Sequence, residues 1–309
     1  MSEVPVWIAH DPVSEHVREV ALKVAETSTT ILITGESGTG NDQLARLIHE
    51  LGPRRDAPFL KIDCASLPQE LVESELFGHE RGAFTGAAER KLGRLEMAGP
   101  GTIALDEVAA LSTAIQAKLL RVLEERSFER LGGTETLGID ARLIALTNAD
   151  LQRAVLARRF REDLYFRLSV LAIHVPALRE RRADILPLAE HMLARLATVH
   201  GRDGAVLNDA ARQALENYNW PGNIRELKNA IERAIIFGKG TTLLPEDLPE
   251  SIRTADAGAV AGMRSLEDIE REAIQKTLEG THYKITRAAE ILGISRKTLL
   301  DKRKKYGLQ

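Results

Sequence analysis

Cysteine is nearly absent: Cys64 is the single thiol in 309 residues. One thiol excludes an internal disulfide framework and a cysteine-based zinc site, and as a small apolar side chain Cys64 reads as a core residue. Aromatic residues are scarce too, 4% against 44% hydrophobic in all, so the expected core is aliphatic. No run approaches the ~18 consecutive apolar residues of a membrane span. The N-terminus, MSEVPVWIAHD, lacks the basic stretch and apolar run of a secretion signal, so cytoplasmic residence is the expectation. No internal repeat is evident. What remains is an ordinary soluble globular composition, and at roughly 150 residues per domain it suggests about two domains.

Charge is unevenly placed. From Thr281 to Gln309 eight Lys/Arg face only Glu290 and Asp301, a net of +6, so the rest of the chain carries −9 of the total of −3. A basic terminal module on an acidic body suggests nucleic acid, against the plainer reading of a solvated helix face. The runs TTILIT (29–34), FLKID (59–63), GTIALDE (101–107) and ARLIALTN (141–148) read as strands. Helical patterns such as DQLARLIHEL and STAIQAKLLRVLEE lie between them. The alternation predicts a parallel sheet with helices on both faces. After Pro176 the strands are expected to stop, and from Ala183 to Phe237 the pattern is that of a smaller all-α lid. TADAGAVAGMR (254–264) reads as a linker. Next comes a helix with Ser265 as cap and Gly280 as stop. A helix over 287–292, a turn at Gly293-Ile294-Ser295 and a basic second helix capped by Ser295 then give the spacing of a helix-turn-helix.

GESGTGND (35–42) sits between a strand and an amphipathic helix, where a phosphate-binding loop belongs. Gly35, Gly38 and Gly40 permit the tight path in which backbone N–H groups and a helix N-terminus meet phosphate. Glu36, Ser37 and Thr39 complete the loop. Its seventh position, normally a lysine placing charge on the β- and γ-phosphates, is Asn41. Asp42 follows and adds a negative charge. About 70 residues on, GTIALDE delivers Asp106 and Glu107 to the C-terminal end of a strand, where sites in open α/β sheets lie. Asp106 would hold Mg²⁺ and Glu107 would polarise an attacking water; the plainer reading is a strand followed by a helix cap.

ELFGHERGAFTGA (75–87) adds a signature. Two glycines flank a bulky apolar residue and a hydroxyl, as suits an exposed loop tip that bends onto a partner. Together with QAKLLRVLEE, FREDLYFRLSV, VPALRERRADI and WPGNIRELKNAIERA, in that order, it makes the chain resemble the sigma-54-dependent transcriptional activators, bacterial enhancer-binding proteins of the AAA+ class. The resemblance runs from about Trp7 to the C-terminus. It implies an AAA+ P-loop α/β subdomain over 1–176, a helical lid over 177–250, a linker over 251–264 and a Fis-type helix-turn-helix domain over 265–309. It implies ATP and Mg²⁺ as cofactors, and the loop residues 35–42 with Arg225, the second sensor, as nucleotide-binding. Asn148 resembles the first sensor of the γ-phosphate. Arg161 and Arg167 resemble arginine fingers that reach a neighbouring subunit's nucleotide. Gly82, Ala83, Phe84, Thr85, Gly86 and Ala87 match the family's sigma-factor loop, with Phe84 and Thr85 at its tip. Ser295, Arg296, Lys297, Thr298, Lys302 and Lys304 stand where the second helix meets DNA. The implied partners are sigma-54 RNA polymerase holoenzyme, upstream enhancer-like DNA and further copies of the chain, usually in a hexameric ring, with no membrane. No receiver or sensory segment precedes Trp7, so the expectation is a minimal member or a fragment lacking its regulator.

The departures set the alternatives. The family has lysine at position 41 and glutamate at 42. Asp63 falls where many members have an asparagine, and a carboxylate facing Glu107 would repel it or share its proton. Asp301 and Arg303 stand where a basic and an apolar residue are expected, which would weaken DNA binding and disturb packing. Three readings follow: an ATP-hydrolysing activator that tolerates Asn41, with Arg46 as a stand-in cation; a nucleotide-impaired regulator or subunit of mixed rings; or a general AAA+ DNA-remodelling ATPase, against which the intact signature loop argues.

Overall fold

The structure, a computed structural model, describes residues 7–254, 266–281 and 283–307. The expected linker residues 255–264 and the Ser265 cap lie outside the described residues. The chain divides into two units, Met1–Pro249 and Glu250–Gln309.

In the first unit, helix α1 (Pro12–Ala25) leads to β1 (Ile31–Thr34), α2 (Asn41–Leu51), β2 (Phe59–Asp63), α3 (Gln69–Phe77), β3 (Gly78–His79) and β4 (Lys91–Leu92). Then follow α4 (Arg94–Met97), β5 (Thr102–Asp106), α5 (Thr113–Glu125), β6 (Ser127–Glu129), β7 (Thr136–Gly138) and β8 (Arg142–Thr147). Next are α6 (Leu151–Leu156), α7 (Glu162–Leu168) and β9 (Leu171–His174). Five strands form a parallel sheet in the order β2-β5-β8-β1-β9. Because side chains alternate along a strand, β1, β2, β5 and β8 each serve two cores. Leu32, Ile103, Leu105, Leu143 and Ala145 pack beneath α3, α5 and α7, whereas Ile31, Ile33, Ala104, Ile144 and Leu146 pack beneath α1 and α2. Cys64 is fully buried in the first of these cores. Burial pushes its thiol up to about 12, with the charges of Asp106, Asp63 and Glu107 adding to the effect.

Arg142 opens β8 from inside the protein. Its guanidinium donates to Val24 O (2.6 Å), Ala25 O (3.1 Å) and Thr29 O (3.3 Å), so it satisfies the C-terminal carbonyls of α1 and ties that helix to the sheet. Burial pulls its pKa down to about 10. The edge strand β9 was not foreseen, because only Ile173 of its four residues is buried and no alternation marks it.

The lid holds α8 (Ile185–Val199), α9 (Asp209–Asn217) and α10 (Asn223–Phe237). It is not free of strands, as the sequence suggested. Strands β10 (Val206–Leu207) and β11 (Thr242–Leu243) pair in parallel, and each buries one leucine. Two residues are too few to show a period of two. Helix α11 (Glu250–Arg253), with Ile252 buried, opens the second unit, where the first residues of the expected linker fall.

The second unit contains α12 (Leu266–Gly280), α13 (Ile285–Leu292) and α14 (Arg296–Lys305) around Ile274, Leu278, Ala288, Ala289 and Leu299. Helix α13 starts two residues earlier than its apolar pattern indicated. Gly293 ends it at φ +65°, the left-handed position glycine takes without strain. Ser295 then caps α14 by accepting from Thr298 N–H at 3.0 Å.

Candidate nucleotide-binding site

The site forms where the strand order reverses, beyond the carboxyl ends of β1, β5 and β8. Gly35 leaves β1, and Gly38 (φ +82°) and Gly40 (φ +104°) bend the loop onto α2. A Cβ on Gly38 would lie 2.6 Å from Gly222 O of the lid, so no other residue fits there. Asn41 does not point outward. Its Nδ2 donates to Gly35 O at 3.3 Å, and its Oδ1 lies 3.1 Å from the Thr39 hydroxyl, which also donates to Glu36 O at 2.8 Å. The amide thus braces its own loop with its oxygen and one of its two N–H donors.

Asp42, one residue on, pairs with Lys61 of β2. The Lys61 ammonium also lies 2.7 Å from Asp106 Oδ2, so a single cation joins the two carboxylates. Burial pulls the Lys61 pKa down, but hydrogen bonds to Asp106 and Asp42 raise it more, and it ends above the ordinary lysine value. Sequence reasoning missed Lys61, although its place two residues before Asp63 puts it on the same strand face. Arg46, the expected stand-in, lies elsewhere: its guanidinium covers the Phe59 ring at 4.8 Å, at the opposite end of β2 from Asp63.

Asp106 Oδ1 accepts from Glu107 N–H at 3.1 Å. Glu107 sits at φ +53°, a left-handed conformation that a non-glycine residue adopts only where its surroundings hold it. Its Oε2 accepts from Asn148 N–H at 3.4 Å, which brings the ends of β5 and β8 together. Burial first, then the charges of Asp106 and Asp63, holds the Glu107 carboxyl above the usual range. Asp63 acts here as a charge, because its Oδ1 caps its own loop through Ala65 N–H (2.9 Å) and Ser66 N–H (3.1 Å). Glu107 and Asn148 line an open cleft of about 640 Å³ whose wall includes Arg153 and Arg159.

The lid closes over the loop through its polar residues. The Arg225 guanidinium, from the WPGNIREL block, donates to Ser37 Oγ at 2.9 Å. Four further ties were not foreseen. Asn223 Nδ2 reaches Ser37 O (3.1 Å) and Glu36 (3.3 Å). Ile224 N–H donates to Gly38 O at 2.9 Å. The buried Arg181 donates to Thr39 O at 2.6 Å. Arg179 grips both oxygens of Glu36 and, with Asn223, holds that carboxyl at about 2. Of the two candidate fingers, Arg161 precedes α7 as its N-cap residue and Arg167 lies in its last turn. Arg161 is exposed and forked onto Asp163 at 2.7 and 3.0 Å, and the exposed Arg167 donates to Leu123 O at 3.0 Å.

The signature loop stands on a braced base. Gly82 (φ +82°) and Gly86 (φ +106°) have open space around them, and Gly82 N–H donates to Ala87 O at 2.9 Å to close the loop. Phe84 is 43% exposed and rests edge-on against His79, 4.9 Å between ring centres. Ala83 packs on Gly132, Ala87 is buried, and Thr85 is exposed. Beneath them Arg130, buried, binds Glu80 (2.8 Å), Glu96 (2.8 Å) and Glu135 (3.1 Å).

On α14, Ser295, Arg296, Lys297 and Lys304 are exposed and Thr298 is half-buried. Lys302 is half-buried and its ammonium pairs with Glu270 of α12 at 2.6 Å, and Glu270 also accepts from Tyr306 Oη at 2.6 Å. Arg303 is half-buried beside a module core that stays intact.

A phosphate loop, a paired acidic strand end and a closing helical lid define an AAA+ P-loop protein. Comparison with known proteins carries this to a family. Residues 7–174 match the Sigma-54 interaction domain, residues 179–263 the AAA+ ATPase lid domain, and residues 265–306 the Fis family of bacterial regulatory proteins. The chain is 44% identical over 311 residues to the regulatory protein AtoC of Escherichia coli, covering 97% of this chain and 68% of AtoC. It is 42% identical to the response regulator PilR of Pseudomonas aeruginosa, covering 99% and 71%. The Nif-specific regulatory protein of Azospirillum brasilense is 49% identical over 244 residues, 79% of this chain and 39% of that protein. Among solved structures, NtrX of Brucella abortus in complex with ADP superposes with a TM-score of 0.76 at 33% identity, covering 99% of this chain and 70% of NtrX. The chain belongs to the sigma-54-dependent transcriptional activators, with an AAA+ domain and a Fis-type DNA-binding module.

Proposed function

We propose that this chain hydrolyses ATP in a ring of its own copies, slowly for want of a lysine at position 41, and uses the turnover to open sigma-54 polymerase complexes from upstream DNA. The observation that carries the reading is the acidic end of the site: Glu107 sits at a left-handed backbone angle beside Asp106, hydrogen-bonded to the Asn148 N–H, with its carboxyl above the ordinary value through burial. NtrX, its structural relative, is known with ADP and with ATP bound. Asp106 and Asp42 present hard carboxylate oxygens that suit Mg²⁺ carried by a nucleotide's phosphates. Bound there, the ion would neutralise charge on the β- and γ-phosphates.

The chain's own residues do the rest. Glu107 orients water, and Asn148 couples the strand end to the γ-phosphate. Arg225 reports the phosphate state to the lid. Arg161 and Arg167 supply charge to the neighbouring copy's nucleotide, which makes assembly a condition of turnover. The loop at residues 82–87 offers Phe84 and Thr85 to the sigma factor. Arg296, Lys297 and Lys304, with Ser295 and Thr298 at the helix start, meet DNA. The second reading, a nucleotide-impaired regulator, draws support from the way Asn41 is folded into its own loop. Permanganate footprinting of a sigma-54 promoter with holoenzyme, ATP and the native chain separates the two. Melted promoter DNA that is lost with Phe84→Ala supports the proposal. Melting by Asn41→Lys alone supports the impaired regulator.

A further inference from the structure

A phosphate loop without its lysine still has to offset the charge of a triphosphate. The loop itself offers none: Asn41 is neutral and internally bonded, and Asp42 is an anion. The neighbouring strand does offer a cation. Lys61 comes from β2, next to β5 in the sheet, and its ammonium spans Asp42 at the start of α2 and Asp106 at the end of β5. These two carboxylates bound the space where a nucleotide's phosphates and their metal would meet the loop. The Lys61 side chain is 35% exposed, so it is solvated on one side and free to turn toward a ligand.

We propose that Lys61 is the resident cation of this site, contacting the β- and γ-phosphates in place of a lysine at position 41 and held ready by Asp42 and Asp106. This rests on the nucleotide-binding reading above. A four-carbon stem with three rotatable donors suits such a transfer, since the ammonium swaps a carboxylate for a phosphate oxygen without moving the strand. In this structure Asp42 and Asp106 together hold the ammonium at the mouth of the loop.

The test is a cycle of four full-length proteins: native, Lys61→Met, Asn41→Lys and the double variant. Each is titrated with a fluorescent ATP analogue and with the matching AMP analogue, in EDTA, so that binding reports the protein's own charges and not turnover. The expected result is a loss of at least 10-fold in ATP affinity for Lys61→Met in the native background. The loss should be less than 3-fold when position 41 is lysine, unchanged AMP binding should accompany both, and Lys61→Arg should recover part of the affinity. An equal loss in both backgrounds, or a loss shared by AMP, would mean that Lys61 only maintains structure, and overturns the inference. Undiminished ATP binding by Lys61→Met overturns it too, while leaving the nucleotide site standing. If the native protein binds no ATP and Asn41→Lys does, the nucleotide-binding reading fails with it.

Discussion

Asn41 is bonded on both sides, to Gly35 O and to the Thr39 hydroxyl, and its remaining amide N–H is a neutral donor where a lysine would bring a charge. A lysine at 41 would restore a charge-assisted contact, worth about 1.5–3 kcal/mol for a hydrogen bond to a charged group. Asn41→Lys should therefore bind ATP roughly 10- to 100-fold more tightly, as isothermal titration would measure. Glu107→Gln should retain nucleotide and lose hydrolysis by about 10²–10⁴-fold, the usual worth of a positioned base. Because burial raises the Glu107 pKa, the carboxylate is lost as the pH falls through a value above the ordinary 4.5. The acid limb of the pH–rate profile should accordingly lie above that value. A limb at or below it would remove Glu107 from the role. Much of this was legible in the sequence, since glycine spacing and the DE pair name the loop and the strand end. Lys61 was not legible: nothing about one lysine in FLKID tells that a folded sheet will seat it between Asp42 and Asp106.

At the scale of elements, the lid is latched to the loop by short polar contacts. Arg179 holds the Glu36 carboxyl at about 2 against its ordinary 4.5, so this tie is complete above pH 4.5 and is lost as the pH falls toward 2. The difference in melting temperature between the native protein and Glu36→Gln should be constant from neutral pH down to about 5 and shrink below it. A difference that changes between pH 8 and 6 would contradict this. The signature loop depends in the same way on a buried cation. Arg130→Ala leaves three glutamates without their shared partner and should cost about 2–3 kcal/mol in urea unfolding, discounted from the fully buried case because the glutamates reach solvent. In the second unit, Ser295→Ala removes the cap of α14 and should destabilise that unit by about 1 kcal/mol. Long strands and helices with a clear period were readable in advance. The hairpins, β9 and the paired dipeptides of the lid were not, because two to four residues carry no period and are fixed by their neighbours in space.

For the whole molecule, we propose that one chain holds the acidic half of a catalytic site and lends its exposed arginines to the next copy. Arg161, at the N-cap of α7, and Arg167, in its last turn, are exposed and tied within the chain to Asp163 and to the Leu123 carbonyl. Chain-scale order was the most legible level, because matched blocks from Trp7 onward fix the succession of modules whatever their local geometry. The measurement that decides is steady-state ATP hydrolysis across a range of protein concentrations, for the native chain beside Asn41→Lys and Arg161→Ala. The account predicts turnover by the native chain whose rate per copy rises with concentration, a faster Asn41→Lys, and no turnover from Arg161→Ala at any concentration. Turnover by Asn41→Lys alone, or a native rate per copy that is independent of concentration, would contradict it.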